Sequence, residues 1–99
     1  MKNKNHLVPV TTRETLEKHI ALLFEILADY PTALTLEQVQ EILNIKEKQT
    51  YNKIHSGELP ALWIGNSYRV LKTELIIYIA MQTLDISALE VEHEGTKSA

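Results

Sequence analysis

The stretch over residues 56–70 constrains the fold of this chain more than any other part of the sequence. Gly57 follows directly on a helical pattern, at the position where a residue of left-handed conformation commonly closes a helix. Leu59-Pro60 comes next and favours extended backbone, because proline disfavours helical geometry in the residue before it. Apolar residues then alternate with other residues on both sides of Gly65, a period of two that is typical of β-hairpins. The sequence therefore predicts a helix end, a sharp turn and a short hairpin.

The hairpin is predicted to turn through three residues, Gly65-Asn66-Ser67. A loop of that length places Leu62 and Ile64 on the core side of the hairpin. The same register places Trp63 opposite Arg69 on the outer side. Trp63, Arg69 and the loop residue Asn66 are therefore the hairpin residues predicted to serve a function rather than the architecture.

Four helical patterns surround this hairpin, identified by apolar residues at steps of three and four. They are predicted over residues 11–30, 36–43, 46–56 and 74–84. Capping side chains are predicted for three of them, by Thr11 with Glu14, by Thr35 with Gln38, and by Thr73. Asn44 separates the second helix from the third, since asparagine tolerates left-handed backbone geometry and permits a tight turn.

The composition supports one hydrophobic core. The 99 residues are 44% hydrophobic and include no cysteine, which excludes disulfides and thiolate zinc sites. The sequence predicts a flexible arm over residues 1–10, a single domain over 11–84 and an acidic, disordered tail over 85–99. Within the domain, residues 11–30 form an additional helix before a core at 34–79. No run has the length of a signal-peptide core or a membrane span, so a cytoplasmic protein without membrane contact is expected.

Charge is distributed unevenly along the chain. The formal net charge is −3, which argues against a strongly basic protein. Between residues 44 and 72, however, five cations stand against two anions, a local charge of +3. The segment after Met81 is acidic. A small basic patch is thus predicted on the third helix and the hairpin.

Many residues between positions 34 and 79 fall in register with one known sequence pattern. They are Leu34-Thr35, Glu41, Leu43, Ile45, Tyr51, Ile54, Gly57-Glu58-Leu59-Pro60-Ala61, Ile64-Gly65, Tyr68-Arg69-Val70, Glu74-Leu75 and Tyr78. On these residues the chain resembles the excisionase-type helix-turn-helix family, which is related to the DNA-binding domain of MerR regulators. The resemblance implies a mainly α fold with a small β-hairpin wing, that is, a winged helix-turn-helix with an extra N-terminal helix and a C-terminal helix.

The same resemblance implies a small bacterial, phage or mobile-element protein that binds DNA. It would act as an accessory factor in recombination, replication or transcription regulation. The third helix would enter the major groove, where glutamine and asparagine amides pair with adenine edges and lysines contact phosphates. Duplex DNA is favoured over single strands. The predicted contacts are Lys46, Lys48, Gln49, Asn52, Lys53, His55, Trp63, Asn66, Arg69 and Lys72. The alternative is that these residues are only the solvated face of a surface helix.

A second hypothesis is a protein-interaction subunit that docks on a larger DNA-processing enzyme, such as a polymerase, helicase or recombinase. The first and last helices carry more apolar residues than one core-facing side needs. Either these helices pack on each other and complete the core, or their remaining faces form a homodimer or partner interface. The residues predicted for that interface are Leu22, Ile26, Trp63, Ile76 and Ile77. Trp63 would otherwise stack on a sugar or an unpaired base.

The sequence shows no pattern typical of an enzyme. The four histidines are scattered without metal-ligand spacing, and there is neither a phosphate-binding loop nor a nucleophile motif. We therefore expect no catalytic residues, no metal site and no cofactor.

Overall fold

The computed structural model describes residues 6–89. Its helices are α1 (Arg13–Ile26), α2 (Leu36–Leu43), α3 (Glu47–His55) and α4 (Lys72–Thr83). Its strands are β1 (Val8–Pro9), β2 (Ala33–Leu34), β3 (Leu62–Ile64), β4 (Ser67–Leu71) and β5 (Leu84–Asp85). Mostly helical, with a small sheet beside α2 and α3, this architecture confirms the predicted fold class.

The helix-turn-helix unit is set by local interactions. At the start of α2, Thr35 Oγ1 accepts a hydrogen bond from the Gln38 amide at 3.1 Å, and Gln38 Oε1 accepts from the Thr35 amide at 2.9 Å. This confirms the predicted capping box. Asn44 ends α2 in the left-handed conformation, with φ 57° and ψ 49°, and Gly57 follows α3 with φ 83°. The two predicted chain reversals on either side of α3 are thereby confirmed.

Two predicted helix caps are wrong. Helix α1 is capped by Thr12, whose hydroxyl oxygen accepts from the Thr15 amide at 3.2 Å, so its cap lies one residue beyond the predicted Thr11. Helix α4 has no side-chain cap, because β4 continues in extended geometry to Leu71 and passes directly into the helix. Thr73 therefore lies inside the first turn of α4.

The hairpin register also differs from the prediction. The turn has two residues, Gly65-Asn66, and Gly65 adopts φ 64°, so Trp63 pairs with Tyr68 and Leu62 pairs with Arg69. Because side chains alternate along a strand, Trp63 shares the face of Tyr68, and Leu62 lies on the opposite face with Arg69. The prediction that Trp63 stands opposite Arg69, with Leu62 and Ile64 on the core side, is wrong, since Leu62 and Ile64 lie on the face of Arg69 and are exposed. The reason is the loop, which is shorter by one residue than predicted.

The described residues include two clusters of buried apolar side chains. β4 lies between β2 and β3 in the three-stranded sheet, and its Val70 is fully buried. The main cluster joins this strand to the helix-turn-helix and comprises Leu34, Val39, Leu59, Val70 and Leu75. The second comprises Val10, Ala80 and Leu84, with Leu16 and Leu23 of α1 packed against it. The first and last helices therefore contact each other and complete the core, as the first of the two interpretations predicted.

The ends of the described chain pair with each other. Within the predicted arm, β1 runs parallel to β5, with Val8 beside Leu84. The Val10 amide donates to the Asp85 carbonyl at 2.9 Å, and the Val10 side chain is fully buried. Residues 8–10 thus belong to the fold and not to a flexible arm, because Val10 fills the space between α1 and α4. The predicted tail also begins too early, since Asp85 belongs to β5 and Leu89 packs against the second core cluster. Residues 1–5 and 90–99 lie outside the described residues.

No helix in the described part of the chain combines the length and the apolar character that crossing a membrane requires.

Candidate nucleic-acid interface

Helix α3 presents one face to the core and one to solvent. Thr50 is fully buried on the inner face, and its hydroxyl donates to the Lys46 carbonyl at 3.1 Å. On the outer face Lys48, Gln49 and Asn52 are exposed. The burial of Thr50 therefore fixes which side chains α3 offers to a ligand.

Two lysines occupy the N-terminal end of α3. Lys46 is the N-cap residue and Lys48 lies in the first turn, and both side chains are exposed. Neither forms an ion pair with any residue between 6 and 89. Their ammonium groups are thus available to phosphates, together with the partial positive charge of the helix end.

The amides predicted to recognise bases lie next to these lysines. Gln49 Oε1 accepts from the Lys46 amide at 2.9 Å, which leaves the Gln49 side-chain amino group to donate. Gln49 and Asn52 both line a shallow depression that also includes Lys53 and Ser56. The structure therefore brings the two amides together on one exposed surface, as the sequence predicted. His55 is exposed one turn further along.

Lys53 lines the same depression but is paired with an acidic neighbour, Glu58. Its Nζ lies 3.5 Å from a Glu58 carboxylate oxygen and 5.4 Å from the centre of the Tyr78 ring, and the Tyr78 hydroxyl donates to the same carboxylate at 3.0 Å. The Tyr78 hydroxyl, and then Glu58, raise the pKa of Lys53 against an opposing effect of burial. Lys53 is therefore charged but already paired, and a phosphate contact would have to compete with Glu58.

Lys72 has a structural role that the sequence did not reveal. Its Nζ donates to the carbonyl oxygens of Leu27 at 3.1 Å and Tyr30 at 2.9 Å, at the C-terminal end of α1. The Tyr30 hydroxyl in turn donates to Glu41 on α2 at 3.1 Å. Lys72 points into the protein, so the structure speaks against its predicted contact with DNA.

The hairpin is joined to α3 by aromatic rings. Tyr68 packs edge-to-face against Trp63 with ring centres 4.9 Å apart, and its ring lies 6.1 Å from Tyr51 and 6.3 Å from His55. Sequence reasoning did not assign Tyr51 or Tyr68 to the site. Their positions in the sequence could have indicated them. Tyr51 lies one helical turn before the predicted contact His55, and Tyr68 directly precedes the predicted contact Arg69.

Arg69 and Asn66 complete the hairpin side of the surface. Arg69 is half-buried, and its Nη1 donates to Ser67 Oγ at 2.6 Å and to the Tyr68 carbonyl at 3.1 Å. Asn66 is exposed at the turn. Both residues line a cleft between the hairpin and the start of α2 and α3, where Glu37 and Glu47 supply opposite charge.

The sequence that forms this surface matches a known protein family. The family described as "Helix-turn-helix domain" matches residues 33–83, just over half of the 99 residues. The chain belongs to this helix-turn-helix family. The match covers the helix-turn-helix, the hairpin and α4, and leaves β1 and α1 outside. This confirms the helix-turn-helix part of the resemblance, whereas the relation to MerR regulators stays a prediction.

Two curated proteins of Mycobacterium tuberculosis, from strains H37Rv and CDC 1551, are similar to the chain. Each bears the name "Putative DNA-binding protein" and is 38% identical over 37 residues, which is 37% of this chain and 47% of the relative. The helix-turn-helix chain thus spans about half the length of the curated relatives it matches. No solved structure gives a significant match to it.

The basic surface of this helix-turn-helix domain is smaller than the sequence predicted. Lys72 is turned inward, and Lys53 is neutralised by Glu58. Within residues 44–72, Lys46, Lys48 and Arg69 remain against Glu47, which is three cations minus one anion, or +2, and Glu37 beside Arg69 lowers the local charge to +1. Electrostatic attraction to a polyanion therefore depends on a few side chains.

Replacing Lys72 by methionine is expected to lower the free energy of unfolding by about 2 kcal/mol, because two hydrogen bonds from a charged donor are lost. Methionine keeps a side chain of similar length, so the packing of the aliphatic part is largely retained. Urea denaturation followed by circular dichroism measures the effect. Lys48→Met is the matched control, since Lys48 is exposed and makes no ion pair among residues 6–89. Equal stability of the two variants would contradict the structural role of Lys72.

The residues predicted for a partner interface are not equivalent in the structure. Leu22, Ile26, Trp63 and Ile77 are exposed, whereas Ile76 is fully buried. Ile76 is therefore removed from the predicted interface, because its side of α4 faces the core. The exposed four lie on α1, β3 and α4, and thus on three different elements of the helix-turn-helix chain.

Proposed function

We propose that this protein binds duplex DNA through α3 and the hairpin. The observation that carries the proposal is the exposed face of α3, where Gln49 and Asn52 follow two lysines at the helix start that form no ion pair among residues 6–89. The name of the mycobacterial relatives, which refers to DNA binding, supports the same conclusion.

In the proposed complex α3 lies in the major groove. Lys46 and Lys48 contact phosphates and fix the orientation of the helix. The Gln49 amino group and the Asn52 amide reach base edges, and adenine is the base that such amides pair with best. From the wing, Arg69, Asn66 and Trp63 contact the neighbouring backbone.

We further propose an excisionase-like accessory role, in which the protein positions DNA for recombination, replication or transcription regulation. A surface with three available cations suits a factor that assists a larger complex rather than one that acts alone.

The proposed function is tested by fluorescence anisotropy of labelled DNA at several salt concentrations. Three phosphate contacts per protomer predict that log K falls against log salt with a slope of about −3 per bound protomer. A slope near −5 per protomer would mean that Lys53 and Lys72 also contact phosphates. Absence of binding to duplex and to single strands, even at low salt, would refute the proposal.

A second candidate function is that of a subunit docking on a larger DNA-processing enzyme. It is favoured by the exposure of Leu22 and Ile26, which are one turn apart on α1 and form an apolar stripe. The test is whether the protein co-purifies with the product of a neighbouring gene, where that gene encodes a polymerase, helicase or recombinase. If docking occurs, Leu22→Asp with Ile26→Asp should abolish it without changing DNA affinity.

A further inference from the structure

Strand β3 has an open edge. It is the outer strand of the sheet β2-β4-β3, and among residues 6–89 it pairs only with β4. Its three residues are all large and apolar, and all are exposed: Leu62 at 46%, Trp63 at 63% and Ile64 at 52%. Natural sheets commonly protect such an edge with a charge, a proline or a bulge. None of these devices is found within β3.

The register shows which backbone groups this edge offers. A two-residue turn is closed by a hydrogen-bonded pair, here Ile64 with Ser67, and bonded pairs alternate with non-bonded pairs along an antiparallel ladder. Trp63 with Tyr68 is therefore the non-bonded pair. It follows that the amide and the carbonyl of Trp63 point away from β4, toward solvent.

We propose that two copies of this chain associate by antiparallel pairing of their β3 strands, centred on Trp63, to form one continuous six-stranded sheet. The Trp63 amide and carbonyl of each copy exchange hydrogen bonds with those of the other. In this register Leu62 of one copy stands opposite Ile64 of the second copy, and Ile64 stands opposite Leu62. Each cross-strand pair is apolar on both sides, which is the favourable combination.

The chemistry of the edge selects a second copy over other occupants. Residues 60–66 carry no charge, so a charged strand from another protein gains no electrostatic attraction there. The chain's own segment 90–99 contains three glutamates and, as a large aliphatic residue, only Val91. It is therefore a poor match for an apolar strand. A twofold contact needs only a surface that complements itself, and β3 meets that condition in the register described above.

The proposal goes beyond DNA binding and does not rest on it. A contact of three residues on each side is small, so the dimer is expected to be weak and reversible. Its formation would nevertheless bring two α3 helices onto one assembly and double the number of available cations. The affinity of the dimer for DNA would then be higher than that of one copy, because two linked α3 helices could bind at once.

Sedimentation equilibrium of the full chain without DNA, up to about 1 mM protein, tests the proposal. The wild-type chain should dimerise. Leu62→Lys with Ile64→Lys places like charges opposite each other across the twofold axis and should weaken dimerisation at least about tenfold. Leu62→Glu with Ile64→Lys places opposite charges at the same positions and should restore it. Thermal unfolding of each variant confirms that it is folded.

Leu22→Lys with Ile26→Lys is the matched control, since it adds the same charge to exposed apolar residues of α1. It should leave dimerisation unchanged. A wild-type chain that stays monomeric over the whole range would overturn the proposal. So would a dimer that tolerates the β3 lysines, or one that only the α1 control disrupts. If the variant with Leu62→Glu and Ile64→Lys does not dimerise, the proposed register, with Leu62 opposite Ile64, is wrong. DNA binding is measured separately, so loss of one property does not imply loss of the other.

Discussion

Replacing Lys46 and Lys48 together by glutamate is expected to abolish DNA binding while the protein stays as stable as the wild type. Each phosphate contact contributes close to one power of the salt concentration to affinity. Loss of two contacts, with repulsion from the new carboxylates, should therefore weaken binding at least about 100-fold near 0.1 M salt. Both positions lie at the start of α3, where carboxylates interact favourably with the helix dipole by about 0.3–1 kcal/mol each.

The experiment compares anisotropy titrations with thermal unfolding on the same preparation. The control is Arg13→Glu with Lys18→Glu, which changes the net charge equally but on α1, where both residues form exposed pairs within one helix. The control should lower affinity only slightly, through long-range repulsion. If the two double variants weaken binding equally, α3 is not the contacting surface.

Replacing Leu59 by alanine is expected to lower the free energy of unfolding by about 2–5 kcal/mol, the range for a leucine truncated in a well-packed core. Leu59 is fully buried among Leu34, Val39, Val70 and Leu75. Its amide also donates to the Lys53 carbonyl at 3.0 Å, so it holds the end of α3 against the core. A large part of the stability of a domain of this size would be lost.

Chemical denaturation measures this loss, with Leu22→Ala as the control. Leu22 is a leucine of the same chain with about half of its surface exposed, so its truncation should cost well under 1 kcal/mol. Equal destabilisation by the two substitutions would contradict the core assignment. Since Leu59 is buried in the core and is not among the proposed DNA contacts, affinity per folded molecule should fall much less than stability.

The parts of the fold that depend on neighbouring residues were predictable from the sequence. The Thr35 capping box, the left-handed turn at Asn44 and the cap at Gly57 each involve residues within a few positions of one another. Short sequence patterns are therefore enough to predict these three features. The polar face of α3 depends on the same local logic, since Gln49 and Asn52 lie three residues apart on one side of the helix.

The parts that depend on distant contacts were not predictable. The hairpin register changes with one residue of loop length, and the sequence allowed both lengths. Lys72 reaches carbonyl oxygens more than 40 positions earlier in the chain, and no sequence pattern announces such a bond. The pairing of β1 with β5 likewise joins opposite ends of the domain. Ten residues are predicted from the sequence to contact DNA. Two of them instead make contacts with distant parts of the chain, Lys72 with Leu27 and Tyr30, and Lys53 with Tyr78.

The ring of Tyr68 has a consequence for the proposed complex with DNA. Because it packs against Trp63 of the hairpin as well as Tyr51 and His55 of α3, this ring sets the spacing between hairpin and helix in the free protein. Little conformational entropy then remains to be lost on docking. In the proposed complex, this fixed spacing would favour duplexes whose local groove width already fits. Sequence preference would then come partly from the shape of the DNA and not only from its base edges.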